Sequence, residues 1–333
     1  MFFSRTSRSS EHGDKIESAS PNAVHTRRHS KRFWLLLLAA TILIIGLGLG
    51  LGLGLGLRNT GDDDDSNDSD DSNSSNTLPS GNTTTIGVNG TFWQPQAGAT
   101  WQIVLQQPIH TFTPLVSIFD IDLFENNAST ISHIHSLGSK VICYFSAGSY
   151  ESFRPDTKDF VSADYGNELK GWPGEKWLDT RSENVRAIMK KRLNLASEIG
   201  CDGVDPDNVD GFVNDSGFPL TNTTALDFLH FLADEAHRLK LAIGLKNAGD
   251  LVGQTTGFLQ WVVNEQCLQF KECGLYRPFI EAGKPVLHIE YVSEKGNNDV
   301  NTRTREEICG QPAEEGFSTL MKKASVDEWT ETC

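Results

Sequence analysis

After residue 100 the chain alternates short apolar runs with helical patterns, and this alternation limits the folds open to it more than any other feature. Strand signals fall at 101–105, 115–121, 140–145, 203–205, 241–245, 259–263, 285–289 and 316–321. Helical periodicity marks 131–137, 184–199, 225–239 and 276–282. Most strand runs read as continuous apolar stretches, as expected when both faces of a sheet are covered, while 115–121 alternates into Asp120 and Asp122. Roughly eight such strands, most of them separated by helices, is the count that a (β/α)8 TIM barrel needs. A doubly wound open sheet is the alternative. No Gly-x-Gly-x-x-Gly turn follows the first strand, which disfavours the dinucleotide-binding version.

The barrel accounts for only part of the 333 residues. Residues 1–32 form a polar, basic tail. Residues 33–57 are an apolar run long enough to cross a hydrocarbon layer of about 30 Å. Arg27, Arg28, Lys31 and Arg32 precede that run, and Arg58 and then Asp62 to Asp65 follow it. Positive charge on the N-terminal side predicts a cytosolic tail, a single transmembrane signal anchor and a C-terminal domain outside the cell. The run exceeds a signal-peptide core, and no small-x-small cleavage site stands out. Residues 58–88 are an acidic Ser/Asn/Asp linker, too polar to bury a core and so expected to be a disordered tether. Residues 89–333, roughly 245 in all, suit one barrel domain. The expected location is therefore the plasma membrane, as a single-pass type II protein with its barrel on the cell-wall side.

An exported domain can carry glycans and disulfides. Asn127, Asn214 and Asn222 each open an Asn-x-Ser/Thr sequon in this part of the chain. All six cysteines lie there too. Cys267 and Cys273 are close in sequence, while Cys309 and Cys333 bracket the C-terminal segment, so disulfides are expected at these two pairs. Cys143 and Cys201 fall in predicted core strands and read as buried free thiols. No Cys-x-x-Cys spacing or His pair points to zinc, and no metal or organic cofactor is expected.

Polar residues gather where the apolar runs end. Residues 200–210 read Gly-Cys-Asp-Gly-Val-Asp-Pro-Asp-Asn-Val-Asp, which crowds Asp205, Asp207, Asn208 and Asp210 together. Buried charges cost several kcal/mol each unless paired, so folding alone would avoid this stretch. Asp120 and Asp122 end another strand, and Tyr144 and Ser146 a third. Lys246 with Asn247, Asn264 with Glu265, and Glu290 with Tyr291 end three more. In a barrel these ends share one mouth, where active sites lie. Two carboxylates on different strands are the minimum for glycoside hydrolysis, and Asp207 and Glu265 are the best pair. As general acid, Glu265 is expected to have a raised pKa, from burial and from the neighbouring Asp207. Rim aromatics that could stack on sugar rings are Trp172, Trp177, Tyr144, Tyr150 and Tyr291.

Several ordered segments resemble glycoside hydrolase family 114, the endo-α-1,4-polygalactosaminidases. They are Val141-Ile-Cys-Tyr-Phe-Ser-Ala-Gly-Ser-Tyr-Glu151, Gly203-Val-Asp-Pro-Asp-Asn208, Gly244-Leu-Lys-Asn247, Val263-Asn-Glu-Gln-Cys267 and Lys284-Pro-Val-Leu-His-Ile-Glu-Tyr291. The resemblance spans about residues 90–333. It implies a (β/α)8 fold and a substrate of α-1,4-linked galactosamine, often within partly deacetylated galactosaminogalactan. Asp207 would be the nucleophile and Glu265 the acid/base of a retaining mechanism. Asp120, Asp122, Asp205 and Glu290 would bind ammonium and hydroxyl groups. Tyr144, Ser146, Asn208, Lys246, Asn247, Tyr291 and Trp172 would complete the substrate site. A formal net charge of −15 suits a cationic polymer and not nucleic acid. A monomeric catalytic domain is expected. A non-catalytic cell-surface carbohydrate-binding barrel is the alternative, and a hydrolase using Asp-bound Ca²⁺ or Mg²⁺ a third reading.

Overall fold

The computed structural model describes residues 92–292 and 302–333. The expected tail, membrane span and linker lie outside these residues. Among the described residues no helix is long and apolar enough to cross a membrane.

Nine strands form one curled sheet, and three more form a small insertion. In chain order they are β1 (Trp101–Val104), β2 (Ile118–Asp122), β3 (Lys140–Ser146), β4 (Ser149–Glu151), β5 (Tyr165–Glu168), β6 (Glu175–Leu178), β7 (Gly203–Asp207), β8 (Ala242–Lys246), β9 (Trp261–Glu265), β10 (Val286–Tyr291), β11 (Ser318–Lys322) and β12 (Glu331–Thr332). The helices are α1 (Ala128–Ser136), α2 (Glu183–Ile199), α3 (Asn222–Arg238), α4 (Val252–Thr255), α5 (Cys267–Phe270), α6 (Arg277–Glu281) and α7 (Thr302–Ile308). The large sheet runs β1-β2-β3-β7-β8-β9-β10-β11-β12. Its first eight strands are parallel, and β12 returns antiparallel. At the seam the Trp101 Nε1 donates to the Ser318 carbonyl at 2.8 Å, and the Leu105 N–H donates to Val326 O at 3.0 Å. The architecture is TIM-like, as expected from the strand count.

Side-chain parity divides the core in two. Trp101, Ile103, Ile118, Ile142, Ala242, Trp261, Val263, Leu287, Ile289 and Leu320 fill the lumen. A larger layer, including Phe145, Leu193, Phe228 and Val262, lies between sheet and helices. The long helices earn their place there by their apolar faces. In α2 these are Val185, Ile188, Met189, Leu193 and Ala196; Leu195 and Ile199, also in the helical pattern, are only half-buried. Ser182 caps its start, and Gly200 ends it at φ +97°, a conformation that favours glycine. Thr221 and Thr224 form a reciprocal capping box at the start of α3.

Two glycines shape the lumen floor. A Cβ at Gly244 would stand 2.0 Å from the Trp261 indole nitrogen, and one at Gly203 would stand 2.6 Å from the same ring. Bare backbone on β7 and β8 thus lets the Trp261 ring lie across the barrel beneath the polar residues of the mouth.

Three disulfides brace the described residues. Cys267–Cys273 and Cys309–Cys333 join as expected. Cys143 and Cys201 are bonded to each other, with Cα atoms 6.0 Å apart, and are not free thiols. Cys143 faces the helix layer from β3, and Cys201 follows α2 just before β7. Strands β3 and β7 are neighbours, so the fold brings together two residues 58 positions apart. Asn127, Asn214 and Asn222 are all exposed. The Asn127 Oδ1 caps α1 by accepting from the N–H groups of Ser129 and Thr130.

Candidate active site

The lumen-facing positions of the strands are every second residue, and near the C-terminal ends they turn polar. Asp120 and Asp122, Tyr144 and Ser146, Asp205 and Asp207, Lys246, Glu265, Tyr291 and Lys322 all share the parity of the apolar lumen residues below them. A sharp turn follows the key strands. Asn208, Asn247 and Gln266, each just after a strand end, have φ of +60°, +50° and +65°. Left-handed backbone is costly outside glycine and concentrates at functional sites.

Asp207 and Glu265 meet through one cation. Lys246 Nζ lies 3.2 Å from Asp207 Oδ2 and 3.3 Å from Glu265 Oε2, with its side chain 2% exposed. The two oxygens are therefore no further apart than those contacts laid end to end. Asp207 also accepts from the Tyr144 hydroxyl at 2.8 Å and from the Asn208 N–H at 2.7 Å. Glu265 accepts from the Tyr291 hydroxyl and from Asn247 Nδ2, the latter at 3.0 Å. Asn247 Oδ1 accepts from the Glu265 N–H at 2.9 Å, so this side chain holds both ends of the residue.

Burial pushes the Glu265 carboxyl up, but Lys246, Tyr291 and Asn247 outweigh it and hold the pKa below the ordinary carboxylate range. This corrects the expectation of a raised value. A like charge was foreseen beside Glu265; the ammonium between the two carboxylates was not. Burial would lower the Lys246 pKa, yet Asp207, Glu265 and Asp205 keep it well above the usual amine value. Burial and the adjoining carboxylates raise Tyr144 and Tyr291, so both hydroxyls stay protonated donors.

Ser146 and Asn208 form the wall beside Asp207. Asn208 Nδ2 donates to Ser146 Oγ at 2.9 Å and to Ser149 Oγ at 3.2 Å. Ser149 Oγ donates in turn to Glu175, whose carboxyl is pushed up to about 8 by burial and by the Glu151 charge. Asp120 and Asp205 lie deeper, both fully buried.

Three expected site residues stand elsewhere. Glu290 has the opposite parity to Tyr291, so it faces the helix layer and accepts from the Leu268 N–H at 2.8 Å and from His288 Nε2 at 3.0 Å. Asp122 reaches the rim, but Arg154 binds it at 2.7 Å and the N–H groups of Phe124 and Glu125 donate to it. With those partners and 1% exposure, it has no room for a sugar ammonium. Trp172 stands on the β5–β6 turn, 51% exposed and outside the hydrogen-bonded cluster. Of the other rim aromatics, Trp177 is buried, and Tyr150 packs on Phe160 and Tyr165.

The inserted sheet β4-β6-β5 gave no strand signal, and the ion pairs that fasten it were missed. Arg154 binds Glu151 and Asp122, and Arg192 on α2 donates to Asp156 and to the Ser146 carbonyl. Two buried arginines thus tie the insertion to the ends of β2 and β3. The sequence signal for Arg154 and Asp156 is the run of charges after Ser149, which reads equally as a solvated loop.

A model of glycoside-hydrolase family GH114 matches residues 82–333. The crystal structure of Aspergillus fumigatus Ega3 in complex with galactosamine shares 46% identity with a TM-score of 0.71, and the match covers 76% of this chain and 100% of that one. The glycoside hydrolase domain of PelA from Pseudomonas aeruginosa has the same fold at 13% identity and a TM-score of 0.52, over 69% of this chain and 98% of that one. No match was found among curated proteins.

Proposed function

The chain belongs to glycoside-hydrolase family GH114, and on that premise we propose that its barrel mouth cleaves α-1,4-linked galactosamine polymers from within, by a retaining two-carboxylate mechanism. The observation that carries this reading is the Lys246 ammonium seated between Asp207 and Glu265. Its two contacts cap the separation of the facing oxygens. That cap admits the ~5–5.5 Å spacing of retaining pairs, which favours this outcome.

Asp207 attacks the anomeric carbon and forms a glycosyl ester. Glu265, once it has taken up a proton from solvent, gives it to the departing glycosidic oxygen and later takes one from the water that opens the ester; its lowered pKa puts the acid form at acidic pH. Tyr144 and Tyr291 orient the two carboxylates as neutral donors. The family relative bound to galactosamine and the excess of buried carboxyls over cations both favour a free amino sugar, which is cationic near neutral pH. Incubating the purified protein with galactosamine oligomers should give shorter oligomers by mass, with the new reducing ends first appearing in the α configuration by proton NMR. Initial β products would end the retaining assignment. Tight binding without any cleavage would favour the carbohydrate-binding barrel.

The same reading places the barrel outside the cell, held by residues 33–57 as a single-pass type II anchor and tethered by residues 58–88. The charge asymmetry around the apolar run supports this. Protease added to intact cells should release the barrel, with glycan on at least one of the exposed Asn127, Asn214 and Asn222. Full protection and no glycan would place it in the cytosol.

A further inference from the structure

Below the Asp207–Lys246–Glu265 line lies a second pair of carboxyl groups. Asp120 on β2 and Asp205 on β7 face the lumen from either side of β3, and both are 0% exposed. If both are ionised, none of their four oxygens accepts a hydrogen bond from any donor in the protein. Buried polar groups are almost never left so. Yet the two carboxyls are close enough to hydrogen-bond to each other. Two carboxylates have no proton to share in such a bond, whereas a carboxylate and a carboxylic acid form a strong one.

We propose that Asp120 and Asp205 hold a single proton between them, and that this half-neutral pair positions the Lys246 ammonium between Asp207 and Glu265. The inference rests on the assignment of those two as the catalytic carboxylates. The groups facing the pair bear it out. β1 presents Trp101 and Ile103, β3 Tyr144, β7 Asp207, β8 Lys246, β9 Glu265 above the Trp261 ring, and β10 Tyr291. On β11, Lys322 is engaged by Gln102 and the Asp327 carbonyl. Asp122 is held by Arg154. One ammonium therefore serves four lumen carboxyls. With both lower groups ionised, it would be drawn down and away from the rim. With one proton shared, the lower pair carries one charge and the upper pair two. Burial, then each other's presence, drives the Asp120 carboxyl well above its ordinary value, and burial raises Asp205 against the pull of Lys246.

The sign of the linkage follows. A carboxyl kept neutral by the fold ionises at an ordinary pH when the chain unfolds. Its contribution is full below the ordinary carboxylate range and is lost as pH rises through the folded value. Asp120→Asn keeps a donor toward Asp205 but has no proton to lose. Relative to wild type, its Tm should rise by about 3 °C or more at pH 8 and change little at pH 4. Infrared spectra of wild type at pH 6.5 should show the carbonyl stretch of buried carboxylic acid, and Asp120→Asn should lose the part of it that Glu175, also protonated there, does not supply. Asp205→Asn removes the charge beneath Lys246; kcat should fall about tenfold with KM within about twofold, and the pH profile should move.

An absent carboxylic-acid band in wild type, which needs no variant to fold, or a band undiminished in Asp120→Asn, would overturn the shared proton. So would a Tm difference for Asp120→Asn that is the same at pH 4 and pH 8. A present band with an unmoved kcat and pH profile in Asp205→Asn would overturn the positioning role. If the band and Tm behave as expected but no polymer is cleaved, the shared proton stands and the hydrolase reading fails.

Discussion

Glu265→Gln is expected to lower kcat on galactosamine polymer by about 10²–10⁴, with KM nearly unchanged. The amide keeps the shape of the side chain and can still accept from Tyr291. It has no proton to give the leaving oxygen and cannot take one from water. Asp207→Asn should lose at least as much, because it removes the nucleophile. Neither swap is innocent structurally. Lys246 donates to both carboxylates, and Asn247 donates to Glu265, so an amide nitrogen on that side would meet another donor. A melting curve for each variant separates lost chemistry from lost fold. Steady-state kinetics on soluble oligomers, with calorimetric binding beside them, make the measurement. A Glu265→Gln variant with near-normal turnover would remove Glu265 from the acid/base role.

Lys246→Met should destabilise the protein by about 3–5 kcal/mol at pH 7, the typical result of stripping a buried charge from its partner. Lys246 is 2% exposed at its side chain and faces Asp207, Glu265 and Asp205. The loss should shrink as pH falls. In the wild type the Glu265 carboxyl is held below its ordinary range, so its contribution is present above that range and lost as pH falls through the folded value. Without the ammonium the largest opposing pull is gone, and burial, countered only by the Tyr291 and Asn247 hydrogen bonds, moves the Glu265 carboxyl up. The variant thus recovers stability by taking up protons in acid. The same shift moves the protonated fraction of the acid toward neutral pH, so any residual hydrolysis should peak at a higher pH than wild type. Urea unfolding at pH 7 and pH 5, read at constant slope, tests the first part. A loss under about 1 kcal/mol at pH 7, together with an unmoved pH profile, would refute the bridging role.

Much of the barrel was legible because parallel strands buried on both faces leave apolar runs that helices must separate. The helix at Glu183–Ile199 lies within one residue of its periodic pattern. The strands at Ile118–Asp122, Gly203–Asp207 and Trp261–Glu265 run further than expected, since apolar runs stop where the polar mouth begins while the ladder continues through it. The runs on both faces also hide parity. Nothing in Val286–Tyr291 tells which of Glu290 and Tyr291 looks into the lumen, so both are expected at the site and only Tyr291 reaches it. Asp122 failed for another reason: its partner Arg154 sits in an insertion with no apolar pattern to announce it.

The sequence by itself determined that strands alternate with helices, that carboxylates crowd the strand ends, and that Asp207 and Glu265 are the pair to weigh, because period and residue chemistry are local. The tertiary structure alone decided that Lys246 stands between that pair, that Asp120 and Asp205 face each other beneath it, and that Cys143 bonds Cys201. Each of these depends on which strands become neighbours and which face curls inward. Distance and depth set the sign of the electrostatics, and neither can be read along a chain.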